Sequence, residues 1–221
     1  MNADHVDHAD HAAARRPKTR ERILEACLSL FNERGPMVVT TAEIAAAVGI
    51  KEGNLHYHFN RKEQILEALF DAFESALRGT AEADLAQGDA PGRFASYLSG
   101  WFSLMWEWRF FYRDAAAIRA LAPALRARTE TLADDGQRHV RRVFASMEAA
   151  GLLRATPAQL DHLVVNSWIV STYWIDYLRS RHGIDALRRE HISWGASQVM
   201  SLFSPYLTAT GQARLNIDTS R

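Results

Sequence analysis

The chain has 221 residues, 48% of them hydrophobic, enough to bury one sizeable core or two, so disorder is expected only at the ends. Its 26 Lys and Arg balance 26 Asp and Glu, yet the division is uneven: residues 1–14 carry three Asp and no Lys or Arg, residues 15–62 nine basic against five acidic groups, residues 63–221 seventeen against eighteen. Charges beyond about 8 Å count for little at physiological salt, so neutrality of the whole does not exclude a phosphate-bearing partner for residues 15–62.

Residues 1–17 read as a disordered tail, in which His5, His8 and His11 alternate with Asp4, Asp7 and Asp10 ahead of Arg15, Arg16 and Pro17. Metal ligation needs ligands held in a fixed geometry, and nothing in a polar tail holds them, so no metal is assigned. From Lys18 the period is helical, with Ile23, Cys27, Leu30 and Phe31 on one face, and Gly35 and Pro36 end the helix. Cys27 is the single cysteine, which excludes an intrachain disulfide and reads in this register as a small buried apolar group. Thr40 followed by Glu43 is a capping box opening a short helix with Ile44, Ala45 and Val48 inside. Gly49 interrupts it, a second short segment spans Lys51 to Phe59, and Asn60 with Glu63 repeats the capping pattern. A long amphipathic helix follows, carrying Ile65, Leu66, Leu69, Phe70, Phe73 and Leu77.

Gly88, Asp89, Pro91 and Gly92 mark a loop. The next helix, Phe94 to Arg109, is apolar nearly all round, but Glu107 and Arg109 interrupt the most apolar stretch before it reaches membrane-spanning length. Without such a span or a secretory signal, the expected location is cytoplasmic, with no membrane partner. Pro123 suits the first turn of a helix running to Gly151; Thr156, Pro157 and Gln159 open another that extends toward His182 and stops at Gly183. A final helix is predicted from about Ile184 to Tyr206. No segment alternates with a two-residue period, so the expected class is all-α.

A helix-turn-helix needs a small residue where two short helices cross, a glycine to free the turn, and apolar groups to fix the second helix. Ala45, Gly49 and the set Ile44, Val48, Ile50 and Leu55 supply these, leaving Lys51, Glu52, Asn54, His56 and Tyr57 on an outer face that a DNA major groove can accept. The run Thr40-Thr41-Ala-Glu-Ile-Ala through Gly49-Ile50-Lys-Glu-Gly-Asn-Leu-His-Tyr-His-Phe59, then Arg61-Lys62-Glu63, resembles the signature of TetR-type transcriptional regulators over about residues 18–77. The resemblance implies that the helix near Thr41 braces the DNA backbone while the next reads bases. Thr41 and Lys62 would then contact phosphate, Tyr57 would pack on the sugar-phosphate backbone, and Asn54 would lead the base reading. The candidate DNA-binding set is Thr40, Thr41, Lys51, Glu52, Gly53, Asn54, His56, Tyr57 and Lys62. Two positions depart from the pattern. His56 stands where tyrosine is common, and Glu52 puts a negative charge near DNA, where it must accept from a cytosine amino group, pair with a lysine or turn away.

The predicted organisation is a tail (1–17), a three-helix helix-turn-helix domain (18–63, motif about 40–59), a larger helical effector-binding and dimerisation domain (64–210) and a C-terminal tail (211–221). One such head makes few contacts, so a homodimer on a two-fold double-stranded DNA site is expected. The resemblance places the dimer interface on the last two long helices, with Leu160, Val164, Trp168, Ser171, Trp194, Val199, Leu202 and Phe203 as candidates. The aromatic middle of the chain suggests an apolar pocket for a small-molecule effector, with Trp101, Phe102, Met105, Trp106, Phe110, Tyr112 and Trp168 as candidates. The competing class is a helical-bundle enzyme or a ligand-binding protein without DNA function. Glu-x-x-His, His-Glu-x-x-His, Gly-x-Ser-x-Gly and Gly-x-x-x-x-Gly-Lys are all absent, so no catalytic residue and no cofactor is assigned.

Overall fold

The structure is a computed structural model that describes residues 18–86 and 90–215. The histidine-rich start and Gly88 and Asp89 lie outside the described residues. Among the described residues there are eleven α-helices and one 3₁₀ turn, and no strand beyond a single bridge between Leu153 and Leu207.

Three short helices make the head: α1 (Thr19–Arg34), α2 (Thr41–Val48) and α3 (Glu52–His58). Thr40 caps α2 by accepting from the Glu43 amide, while the Glu43 carboxylate accepts from the Thr40 amide at 2.8 Å. Gly49 ends α2 at φ 72°, a left-handed conformation that any other residue would occupy under strain. α4 (Lys62–Ala86) then leaves the head and runs into the body. The Asn60 amide donates to Gln64 and not to Glu63, because the helix begins one residue later than the capping pattern predicts.

The body comprises α5 (Ala90–Glu107), α6 (Arg109–Arg113), α7 (Ala115–Leu121), α8 (Leu125–Ala149), α9 (Pro157–His182) and α10 (Arg189–Phe203), followed by the turn Ser204–Tyr206 and α11 (Ala209–Leu215). Thr156 and Gln159 cap α9 reciprocally, and Gly183 stops it at φ 65°. Three expectations are corrected. Pro91 and Gly92, expected in a loop, lie in the first turn of α5, where a proline's missing amide costs nothing. The last long helix starts at Arg189, well after Ile184, and gives way at Ser204 because Pro205 has no amide to continue it. The expected tail from residue 211 is helical through Leu215: Thr208 caps it by accepting from the Gly211 amide, and Gly211 lies so close to the Leu152 carbonyl that a Cβ there would approach it to 2.1 Å.

Two buried clusters organise the chain. One joins Ile23, Cys27 and Phe31 of α1, Ile44 and Leu55 of the turn, and Ile65, Leu69, Phe70 and Phe73 of α4 to Trp108, Phe110 and Ile118. The head core is therefore continuous with the near end of the body, and the expected boundary at residue 63, just inside the start of α4, does not separate two cores. The other gathers Phe102, Met105, Phe144, Met147, Trp174, Val199 and Phe203. Burial pushes the Cys27 thiol up to about 12, so it is an inert apolar group as its register predicts.

Candidate nucleic-acid interface and effector chamber

Leu55 is fully buried and Phe59 nearly so, which pins α3 by one face and leaves Lys51, Glu52, Gly53, Asn54, His56 and Tyr57 exposed on the other. Tyr57 is 84% exposed, a large aromatic left in water on a rigid short helix. Thr40 is exposed and Thr41 half-buried at the start of α2. The Thr41 hydroxyl donates to Glu52 Oε1 at 2.6 Å, and His56 Nε2 lies 3.9 Å from the same carboxylate oxygen. Glu52 thus has a partner that sequence reasoning did not consider, a hydroxyl of the preceding helix.

Lys62 is half-buried, and its ammonium donates to the carbonyls of Pro36 (2.8 Å) and Val39 (2.6 Å), closing the α1–α2 loop from the start of α4. An ammonium has three protons, so one remains for a further acceptor. Arg22 similarly reaches the Val48 carbonyl at 2.5 Å and ties α1 to the end of α2. The α1–α2 loop that Lys62 closes exposes Met37 (58%) and Val38 (61%). Sequence reasoning passed over both, because two apolar residues next to a proline look like core.

In the body a chamber of about 870 Å³ lies between α4, α6, α7, α8 and α9. Phe70, Phe73, Phe111, Ile118 and Leu125 make its apolar wall, with Arg119, Glu130 and Asp176 among its polar residues. Of the expected pocket residues, Trp101, Tyr112 and Trp168 line this chamber. Burial pushes the Tyr112 phenol up, which keeps it neutral. Phe102 lines only a void of about 30 Å³, too small for an organic ligand. Met105 and Phe110 are fully buried in the two clusters and line neither space. Trp106 lies outside, the guanidinium groups of Arg109 and Arg189 lying over its ring at 4.4 and 5.6 Å. The aromatic run thus serves three destinations.

The candidate dimer residues divide as well. Val164, Ser171, Val199 and Phe203 are packed inside their own chain, 8% exposed or less, and so cannot be offered to a partner. Leu160, Trp168, Trp194 and Leu202 are half-buried. The side of α9 that faces outward instead presents Val165, Ile169, Tyr173 and Tyr177, each 48–57% exposed and four residues apart. Tyr177 stacks on Trp194 of α10 with ring centroids 5.9 Å apart. α9 is apolar on two faces, so periodicity found the helix but not which face looks inward.

A head built on a helix-turn-helix, carried on a larger all-helical body with a chamber that opens to solvent beside Arg119, Arg126 and Glu130, defines a class of DNA-binding regulators. The chain matches the family model TetR, "Bacterial transcriptional repressor", over residues 61–215, and the model "Bacterial regulatory proteins, tetR family" over residues 23–69. It belongs to the TetR family of transcriptional regulators. The HTH-type transcriptional regulator TtgR of Pseudomonas putida is 32% identical over 72 residues, 33% of this chain and 34% of that one, so the match spans about a third of the relative's length. A TetR-family transcriptional regulator from Marinobacter aquaeolei superimposes with a TM-score of 0.81 at 30% identity, over 90% of this chain and 96% of the other. AibR, solved in complex with isovaleryl coenzyme A and operator DNA, shares the fold with a TM-score of 0.63 at 18% identity, over 86% and 100% of the two chains. No described helix is long and apolar enough to cross a membrane.

Proposed function

We propose that two copies of this chain bind a palindromic operator and repress transcription until a small apolar or aromatic molecule occupies the chamber. The observation that carries the reading is the outer face of α3, where Lys51, Gly53, Asn54, His56 and Tyr57 stand exposed on a helix fixed from behind by Leu55. Asn54 reads base edges, while Thr40, Thr41, Lys51, Tyr57 and the third proton of Lys62 meet the sugar-phosphate backbone. Glu52 is held by Thr41 and contributes to shape. The partner copy meets the ridge of Val165, Ile169, Tyr173 and Tyr177, flanked by Leu160, Trp168, Trp194 and Leu202. The size and apolar wall of the chamber suit a drug-sized ligand. The AibR complex supports the pairing of both activities on this fold, one of them an acyl thioester and the other operator DNA.

By linkage, an effector that favours one spacing of the two heads must lower the affinity for DNA that favours another, and DNA must lower the affinity for the effector equally. Selection of bound sequences from a random duplex pool tests the reading. A recovered palindrome supports it, whereas a purified dimer that retains no duplex at low salt would falsify it.

A further inference from the structure

Besides α4 and the apolar core that head and body share, a set of buried polar groups joins α1 to α6. Asn32 lies in the last turn of α1, is 7% exposed, and donates through Nδ2 to the Glu107 carbonyl at 2.6 Å. Its Oδ1 accepts from the Phe110 amide at 3.1 Å. These two groups are the open end of α5 and the open start of α6, which would otherwise lack partners at the break around Trp108. The favour is returned from the other side. Arg113 at the end of α6, its side chain 10% exposed, donates through Nη1 to the Asn32 carbonyl and through Nη2 to the Phe31 carbonyl, each at 2.7 Å. Both are carbonyls at the C-terminal, negative end of α1, where a forked cation is well matched. Asp114 holds the guanidinium through Nε and Nη2, and α9 reaches in through Arg179, which donates to the Arg113 carbonyl at 3.1 Å. Gly35 completes the fit: a Cβ there would lie 3.2 Å from Asp114 Oδ2.

α4 alone would let the head rotate about the helix that carries it; the meeting of α1 with α6, where Phe31 packs on Phe110 beside the polar clamp, removes that freedom. Phe111, Tyr112 and Arg113 of α6 also line the chamber. We infer that Asn32 and Arg113 are positioning residues: they set the angle of the DNA-reading head on the body and connect that angle to what fills the chamber. The inference rests on the reading that the head binds DNA, but its test does not use DNA.

Exposed Glu25 on α1 and Glu148 on α8 are replaced by cysteine and spin-labelled, the buried Cys27 being inert, and labelled chain is diluted into unlabelled chain so that only distances within one chain are read by pulsed electron resonance. The parent is expected to give one narrow distance distribution. Arg113→Ala should broaden it about twofold or more, Arg113→Lys should restore most of the narrowness, and Asn32→Asp, which loses the donor to Glu107, should shift it. Ala133→Trp, which places an indole at the chamber wall, should move the distance in the parent but not with Arg113→Ala. A merely structural clamp would lower the melting temperature and leave the distribution unchanged. A cooperatively folded Arg113→Ala or Asn32→Asp protein with the parent distribution overturns the positioning role, and Ala133→Trp moving the distance equally with and without Arg113 overturns the connection. Failure of the operator selection, by contrast, would leave these distances untouched.

Discussion

The Thr41 hydroxyl and the Glu52 carboxylate meet at 2.6 Å, joining the first turn of one helix of the DNA-reading motif to the first turn of the next. This contact explains how an acidic residue can sit on the face proposed to meet phosphates. One of its oxygens is spent inside the protein, and the hydroxyl that the family resemblance assigns to phosphate is shared with it.

Glu52→Gln should therefore raise affinity for random duplex several-fold, because it deletes a charge that repels phosphate while keeping an acceptor for Thr41. Titration of unselected duplex at two salt concentrations checks this; unchanged affinity would mean that Glu52 points away from DNA in the complex.

Asn54 and Lys62 should fail differently. Asn54→Ala is expected to relax sequence preference at one base pair by about 1–3 kcal/mol and leave folding intact, since its side chain is exposed. Lys62→Met should weaken cognate and random duplexes alike, flatten the salt dependence by about one unit of slope, and in addition cost about 1–3 kcal/mol of stability by leaving the Pro36 and Val39 carbonyls without their donor. Selection profiles and melting curves for the two variants separate these effects.

Acid sensitivity has an identifiable source in the α2 cap. Glu43 is held down to about 2, first by the Thr40 amide, then by Arg34 and the Thr40 hydroxyl. A carboxyl held below its unfolded value, about 4.3, stabilises the fold fully above that value and loses the contribution as pH falls toward 2. Glu43→Gln should accordingly be less stable than the parent at pH 7 and approach it near pH 2. Parallel stability curves across that window in chemical denaturation would remove Glu43 from the acid response.

Ile169→Asp tests the outer ridge of α9. The position is 48% exposed in the single chain, so a carboxylate should be tolerated there by the monomer, whereas two of them facing each other across a two-fold axis should dissociate a dimer. Sedimentation velocity is expected to show the parent as a dimer and the variant shifted to monomer; a variant that remains dimeric would move the interface elsewhere.

Most of the helices were legible because their ends carry local chemistry. Thr40 with Glu43, Thr156 with Gln159, and the left-handed stops at Gly49 and Gly183 bind atoms only a few residues away, so spacing alone reveals them. The outer face of α3 was legible for the same reason, since Leu55 alone among residues 51–57 is apolar enough to turn inward. The break at Trp108 was not, because the partner of the freed backbone groups is Asn32, 75 and 78 residues away from them. The short helix after Thr208 was missed because its glycine earns its place against Leu152, which no local pattern shows.

The sequence by itself determined an all-helical chain with a DNA-reading turn near Gly49, since capping, periodicity and glycine conformation act within a few residues. Only the tertiary structure decided which aromatics wall the chamber, which face of α9 is left in water, and where head and body are clamped. Those outcomes depend on which surfaces meet across the fold, and an apolar residue carries the same local signal whether it ends against a core, a cavity or solvent.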